Sequence, residues 1–355
     1  MMISNQKYRS SLVVAFVALT LGASHMVTNA FAQPYPNPYR QVDGWAKLPG
    51  GRTMGAVGGV TMDNDGRHIW AVIRCDASAP ERFGNECLDS DLDSVIKFAP
   101  DGSVAESFGG GLFIWPHGID VDPDGNVWVT DAVSEQRTPP GTRGHQVIKF
   151  SPTGEKLMTL GTPGQAGGGR DHFNAPADVV VADDGSVFVA DGHANTTNNR
   201  VVKFAADGSY VKEWGKTGYG PSEFRTLHAI ALDNDGRLYV ADRSNNRIQI
   251  FDQEGEFISQ WTQFGRPSGI FFDDQGRIFV ADSESDDVQN PGWEMGIRIG
   301  EAKTGWVHEF ILYPWGDPRS TIGNGAEFVA VDGEGNVYGG EPAPRNLQKY
   351  VRVRP

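Results

Sequence analysis

The feature that most constrains this chain is a hairpin that it repeats six times. In the clearest copy, Pro116 to Asp131 (PHGIDVDPDGNVWVTD), Ile119, Val121, Val127 and Val129 alternate with other residues on either side of Pro123-Asp124-Gly125-Asn126. Period-two alternation on both arms of a turn signal makes sheet. The turn glycine recurs as Gly66, Gly125, Gly185, Gly236, Gly276 and Gly335, and five copies carry an acid six positions later: Asp131, Asp191, Asp242, Asp282 and Glu341. One hairpin cannot bury both its faces. Copies spaced about 40 to 60 residues apart can do so as blades of a closed ring, so the expected fold is all-β, a six-bladed β-propeller. Tyr39 to Lys47 (YRQVDGWAK) has the pattern of an outer strand such as Tyr210 to Lys216 (YVKEWGK), while Leu347 to Val353 gives a third strand with no fourth behind it. The N-terminal strand should therefore complete the last blade and hide two sheet edges.

Ahead of the repeats, Lys7 and Arg9 precede an apolar run from Ser11 to Gly22, and Ala30-Phe31-Ala32 offers a small-x-small cleavage site. Residues 1–32 read as a secretory signal peptide and 33–355 as a single propeller domain. The apolar run is too short to span a bilayer well. The expectation is a periplasmic or secreted monomer with no membrane association after cleavage. Removing Lys7 and Arg9, in a segment without acids, takes the formal charge from −14 to −16. Nucleic-acid binding needs a basic footprint, so that class is excluded. The two cysteines, Cys75 and Cys87, stand twelve apart, which in an exported chain favours a disulfide over two buried thiols.

Eight residues before each turn glycine stand Gly58, His117, Ala177, His228, Ser268 and Glu327. In a propeller these positions start the innermost strands and ring the central channel. Small residues alternate with His, His and Glu, so three donors converge from directions about 120° apart, as a catalytic zinc site with an open position requires. His117, His228 and Glu327 are the expected ligands of zinc or another divalent transition metal. Arg243 directly follows Asp242, and Arg74 holds the matching place in blade one; beside a metal they can hold a substrate carboxylate. His193, two residues after Asp191, falls in the same zone as a proton-transfer group. His68, His145, His172 and His308 read as structural or solvent-facing. Asp120, Asp122 and Asp124 mimic half a calcium loop, but strand periodicity runs through them and they read as hairpin caps. The glycines at 167–169 lack the Lys-Ser or Lys-Thr of a nucleotide loop.

From about Gly58 to Val351 the chain resembles NHL-repeat propellers and, more narrowly, the peptidyl-α-hydroxyglycine α-amidating lyase domain of peptidylglycine amidating enzymes. The resemblance is carried by PHGIDVDPDGNVWVTD, HQVIKF, HFNAPADVVV, VFVADGHAN and LHAIALDNDGRLYVADRSNNRIQIF. It implies a six-bladed propeller with a channel metal held by three histidines, of which two match His117 and His228, while Glu327 stands at the third. It also implies two functional arginines, matching Arg74 and Arg243, and a catalytic tyrosine whose place is taken by His193. A structural calcium site of that family uses an aspartate where this chain has Phe328.

Three functions follow. The first is a metal-dependent carbon–nitrogen lyase acting on a small-molecule or peptide-terminal substrate that is hydroxylated and bears a carboxylate. The second is a metal-dependent ester or lactone hydrolase. The third is a non-catalytic binding propeller, since folds of this type host many functions.

Overall fold

The computed structural model describes residues 35–75, 86–135, 141, 143–313 and 325–353; the expected signal peptide lies outside them. The six hairpins become the inner halves of six four-stranded antiparallel sheets. Blade one holds Val57–Met62, Ile69–Ile73, Val95–Phe98 and Val104–Phe108. Blade two holds Pro116–Val121, Val127–Asp131, Gln146–Phe150 and Lys156–Leu160. Blade three holds Pro176–Val181, Val187–Asp191, Arg200–Phe204 and Tyr210–Trp214. Blade four holds Leu227–Leu232, Leu238–Asp242, Arg247–Phe251 and Phe257–Trp261. Blade five holds Pro267–Phe272, Arg277–Asp282, Gly296–Glu301 and Val307–Leu312. In blade six, Phe328–Val331, Val337–Glu341 and Asn346–Arg352 are completed by the first strand, Tyr39–Val42, with Tyr39 opposite Arg352 and Val42 opposite Lys349. The ring closes as the strand count requires.

Register within each hairpin follows the alternation, with Ile119 opposite Val129 and Val121 opposite Val127. Apolar side chains pack between neighbouring blades. Trp70 of blade one meets Phe108, and Phe108 meets Phe150 of blade two, at ring separations of 5.6 and 5.1 Å. Contact between inner strands is close enough that a Cβ on Gly118 would lie 2.6 Å from the Asp178 Cα. Only glycine fits beside His117 there.

The aspartates of the apparent calcium loop are occupied by backbone. Asp122 Oδ1 accepts the amides of Asp124 and Asn126, and Gly125 takes the positive φ of +84° that closes the turn. Asp120 Oδ2 accepts the Val181 amide in the next blade, and burial pushes its carboxyl up to about 7. Asp178 Oδ2 likewise accepts the Ile230 amide of blade four.

In blades two to five the acid six residues after the turn glycine fastens the loop that enters its own blade. Asp131 accepts the amides of Ile114, Trp115 and Gly144; Asp191 accepts those of Asn174 and two side chains; Asp242 and Asp282 hold Arg225 and Arg266 likewise. Blade one has no such acid. There Cys75 and Cys87 form a disulfide directly after Arg74.

Candidate active site

His117 and His228 stand near the start of the inner strands of blades two and four and are fully buried. Each must donate Nδ1–H, because its partner there is a carbonyl: Ala177 O at 2.7 Å for His117 and Ser268 O at 2.9 Å for His228. The small residues of the ring thus orient the histidines through their backbones. This fixes the tautomer and leaves each Nε2 with its lone pair free for a ligand.

His193 reaches the same place by a turn. The amides of Gly192 and His193 both bond Ala175 O, bending the chain at the end of Val187–Asp191. Its ring lies 4.4 Å from that of His117 and 5.0 Å from that of His228. One ligand nitrogen from each of the three histidines lies within 4.8 Å of the others. All three Nε2 atoms are buried without a hydrogen-bond partner among the described residues. Glu327 brings Oε2 to 4.0 Å from His117 Nε2 and Oε1 to 3.9 Å from His228 Nε2. Sequence register placed Glu327 with His117 and His228 and put His193 in the same zone as a proton-transfer group. The structure gathers all four.

Burial, reinforced by the Arg243 cation at all three and by the Arg74 cation at His117 and His193, holds the three imidazoles well below the usual histidine range. They are neutral at pH 7, the form that ligates metal. Buried imidazole nitrogens without protein partners, converging beside a carboxylate, fit a divalent transition metal. Phe328, where the family's calcium aspartate stands, offers no oxygen and instead packs its ring 5.2 Å from His117 and 5.4 Å from His228.

The two arginines approach from opposite arms. Arg74 is buried, donates Nε–H to Pro116 O at 3.2 Å, and lays its guanidinium 3.7 Å from the centre of the Trp115 indole. Arg243 sits in a single 3₁₀ turn, Arg243–Asn245, with Nη1 3.7 Å from Glu327 Oε1 and 3.2 Å from Glu284 Oε1. Glu284 also pairs with Arg266 Nη2 at 3.1 Å, and Arg266 Nη1 donates to Arg243 O. Trp115 stacks on His117 at 5.1 Å and 27° and meets His193 edge-on at 4.9 Å. Trp115, Arg266 and Glu284 were not anticipated. A signal existed: Trp115 and Arg266 each stand ten residues before a turn glycine, Gly125 and Gly276, two places beyond the ring position.

Residues 113–136, 173–204 and 224–251 match the NHL repeat. The chain is 34% identical over 208 residues to peptidylglycine α-amidating monooxygenase of Rattus norvegicus, covering 54% of this chain and 20% of that protein. It is 34% identical over 205 residues to a probable peptidyl-α-hydroxyglycine α-amidating lyase of Caenorhabditis elegans, covering 55% of each. The match therefore spans a fifth to about half of these relatives' length. Among solved structures, a gluconolactonase of Xanthomonas campestris superposes with a TM-score of 0.56 at 15% identity, over 84% of this chain and 86% of that one, a likeness of fold. All three matched segments lie within the loops and blades that carry His117, His193 and His228. The chain is a six-bladed β-propeller whose blades two, three and four match the NHL repeat, and over 205 residues it is similar to a probable peptidyl-α-hydroxyglycine α-amidating lyase.

Proposed function

We propose that this chain is an exported, metal-dependent lyase that cleaves the C–N bond of an α-hydroxyglycine-type substrate, giving an amide and glyoxylate. The observation that carries the reading is the convergence of three neutral imidazoles whose buried Nε2 atoms have no hydrogen-bond partner among the described residues, beside Glu327 and between Arg74 and Arg243. His117, His228 and Glu327 would hold the metal, zinc or another divalent transition ion. When bound, it supplies Lewis acidity toward a substrate oxygen.

The chain's own groups do the rest. Arg74 and Arg243 hold the substrate carboxylate, a use for which guanidinium groups are suited by their fixed fork of donors. His193, neutral at its buried position, accepts the proton of the α-hydroxyl. As the hydroxyl carbon and oxygen form a carbonyl, the C–N bond breaks and its electrons pass to nitrogen. His193 returns the proton there, completing the amide. The surrounding aromatic rings of Trp115 and Phe328 limit water around this transfer.

Elemental mass spectrometry and glyoxylate release from a peptide ending in α-hydroxyglycine test the reading together. The expected results are about one transition metal per chain, its loss in His228→Ala, and metal retention with turnover reduced about 10²- to 10⁴-fold in His193→Ala. Loss of metal in His193→Ala would make His193 a ligand rather than a base. Acid release from lactones, with no amide formed, would select the hydrolase. Absence of bound metal after reconstitution would sink both enzymes and leave the binding propeller.

A further inference from the structure

Trp115 stands where the two halves of the site meet. Its backbone is fixed on both sides: the amide donates to Asp131 Oδ1 at 2.7 Å and the carbonyl accepts from Ala132. Its ring touches His117 and His193, and it supports the Arg74 guanidinium on its π-face. A cation desolvated over an indole is held by the ring quadrupole, which orients it without consuming its in-plane donors. The indole Nε1 is itself buried and donates to no described residue. A buried donor left unsatisfied costs the desolvation of that group, and such groups persist where a ligand completes them. The indole that carries this N–H lies against the Arg74 guanidinium and the His117 and His193 rings, so this end of the site offers two unlike donors to one acceptor group. An anionic oxygen pair is the ligand that uses both.

We propose that Trp115 is the positioning residue of the carboxylate end of the site: its face sets Arg74, and its Nε1–H donates to a carboxylate oxygen of the bound substrate or product. The inference deepens the lyase reading and rests on it for the role of Arg74. It also predicts preference for an α-carboxylate over the corresponding amide.

The test uses the full-length, metal-loaded protein and two probes, glyoxylate and its neutral counterpart glyoxylamide, with binding followed by titration calorimetry. Trp115→Phe keeps a ring under Arg74 and removes the N–H; Trp115→Leu removes both. Glyoxylate affinity should fall about tenfold in Trp115→Phe and further in Trp115→Leu, with glyoxylamide affinity and metal content unchanged in Trp115→Phe. In turnover, KM for the carboxylate substrate should rise more than kcat falls. A Trp115→Phe protein that binds glyoxylate as wild type does, while Arg74→Ala loses it, overturns the donor role and leaves the lyase reading intact. Equal wild-type affinity for the two probes overturns the carboxylate assignment, and the role of Trp115 with it. Thermal melts guard the Leu variant against misfolding, and the Phe variant carries the test if Leu unfolds.

Discussion

Blades four and six end their second strands at the same repeat position on different acids, and the two acids live differently. Asp242 accepts the Arg225 amide at 2.7 Å, the Asn245 side chain, Arg247 Nε at 2.7 Å and Gln249 at 3.1 Å. Burial raises its carboxyl, and those donors work against the rise. Glu341, longer by one methylene, has Asn346 at 3.3 Å as its side-chain donor, and burial pushes it up to about 7. Blade one fastens the corresponding exit with the Cys75–Cys87 disulfide. The repeat therefore specifies a backbone position to be tied down. It leaves the means to each blade.

If the carboxylate tie matters as this contrast says, the largest effect belongs to Asp242→Asn. It leaves Arg247 buried beside a neutral amide, and urea melts should show a loss of about 3–5 kcal/mol, the cost of breaking a buried ion pair. The disulfide comes next: closing a loop of this length is worth about 3 kcal/mol in the chain-entropy account, so a Cys75→Ala/Cys87→Ala variant should melt lower by roughly that amount. Equal stability of oxidised and doubly substituted protein would show that blade one has another fastening.

The smallest effect has the opposite sign. Glu341 has a folded pKa above its unfolded value, so its favourable contribution is full below about 4.5 and is lost as pH rises through about 7. Glu341→Gln should match wild type near pH 5 and exceed it by about 1–3 kcal/mol at pH 8, because the amide never ionises. A variant weaker than wild type at pH 8 would mean that Glu341 is tied down as firmly as Asp242.

Strand alternation and turn glycines made the ring legible, because both are properties of local backbone. The position eight before each turn glycine was informative for the same reason, since it starts a strand whose direction is known. What the repeat placed only to a zone, or not at all, was set by loops and packing. His193 joins the histidine cluster because Gly192 and His193 share one acceptor, Ala175 O, and no periodicity encodes that turn. Glu284 meets Arg266 within blade five and Arg243 across the boundary from blade four, a placement that no repeat position encodes. The ring's small residues hid a further role: Ala177 and Ser268 contribute carbonyl oxygens, which every residue type possesses.

The blade that receives the first strand also carries Glu327, so time enters the architecture. Gln41 meets Gln348 across 307 residues of chain, a separation whose closure costs more chain entropy than any hairpin in the ring. Pairings of such separation are slow to close. The three imidazoles come from blades two to four and can gather earlier, whereas the carboxylate arrives with the final sheet. The carboxylate beside the histidines and the strand that locks the ring thus share one sheet, so a fault in closure reaches the site directly.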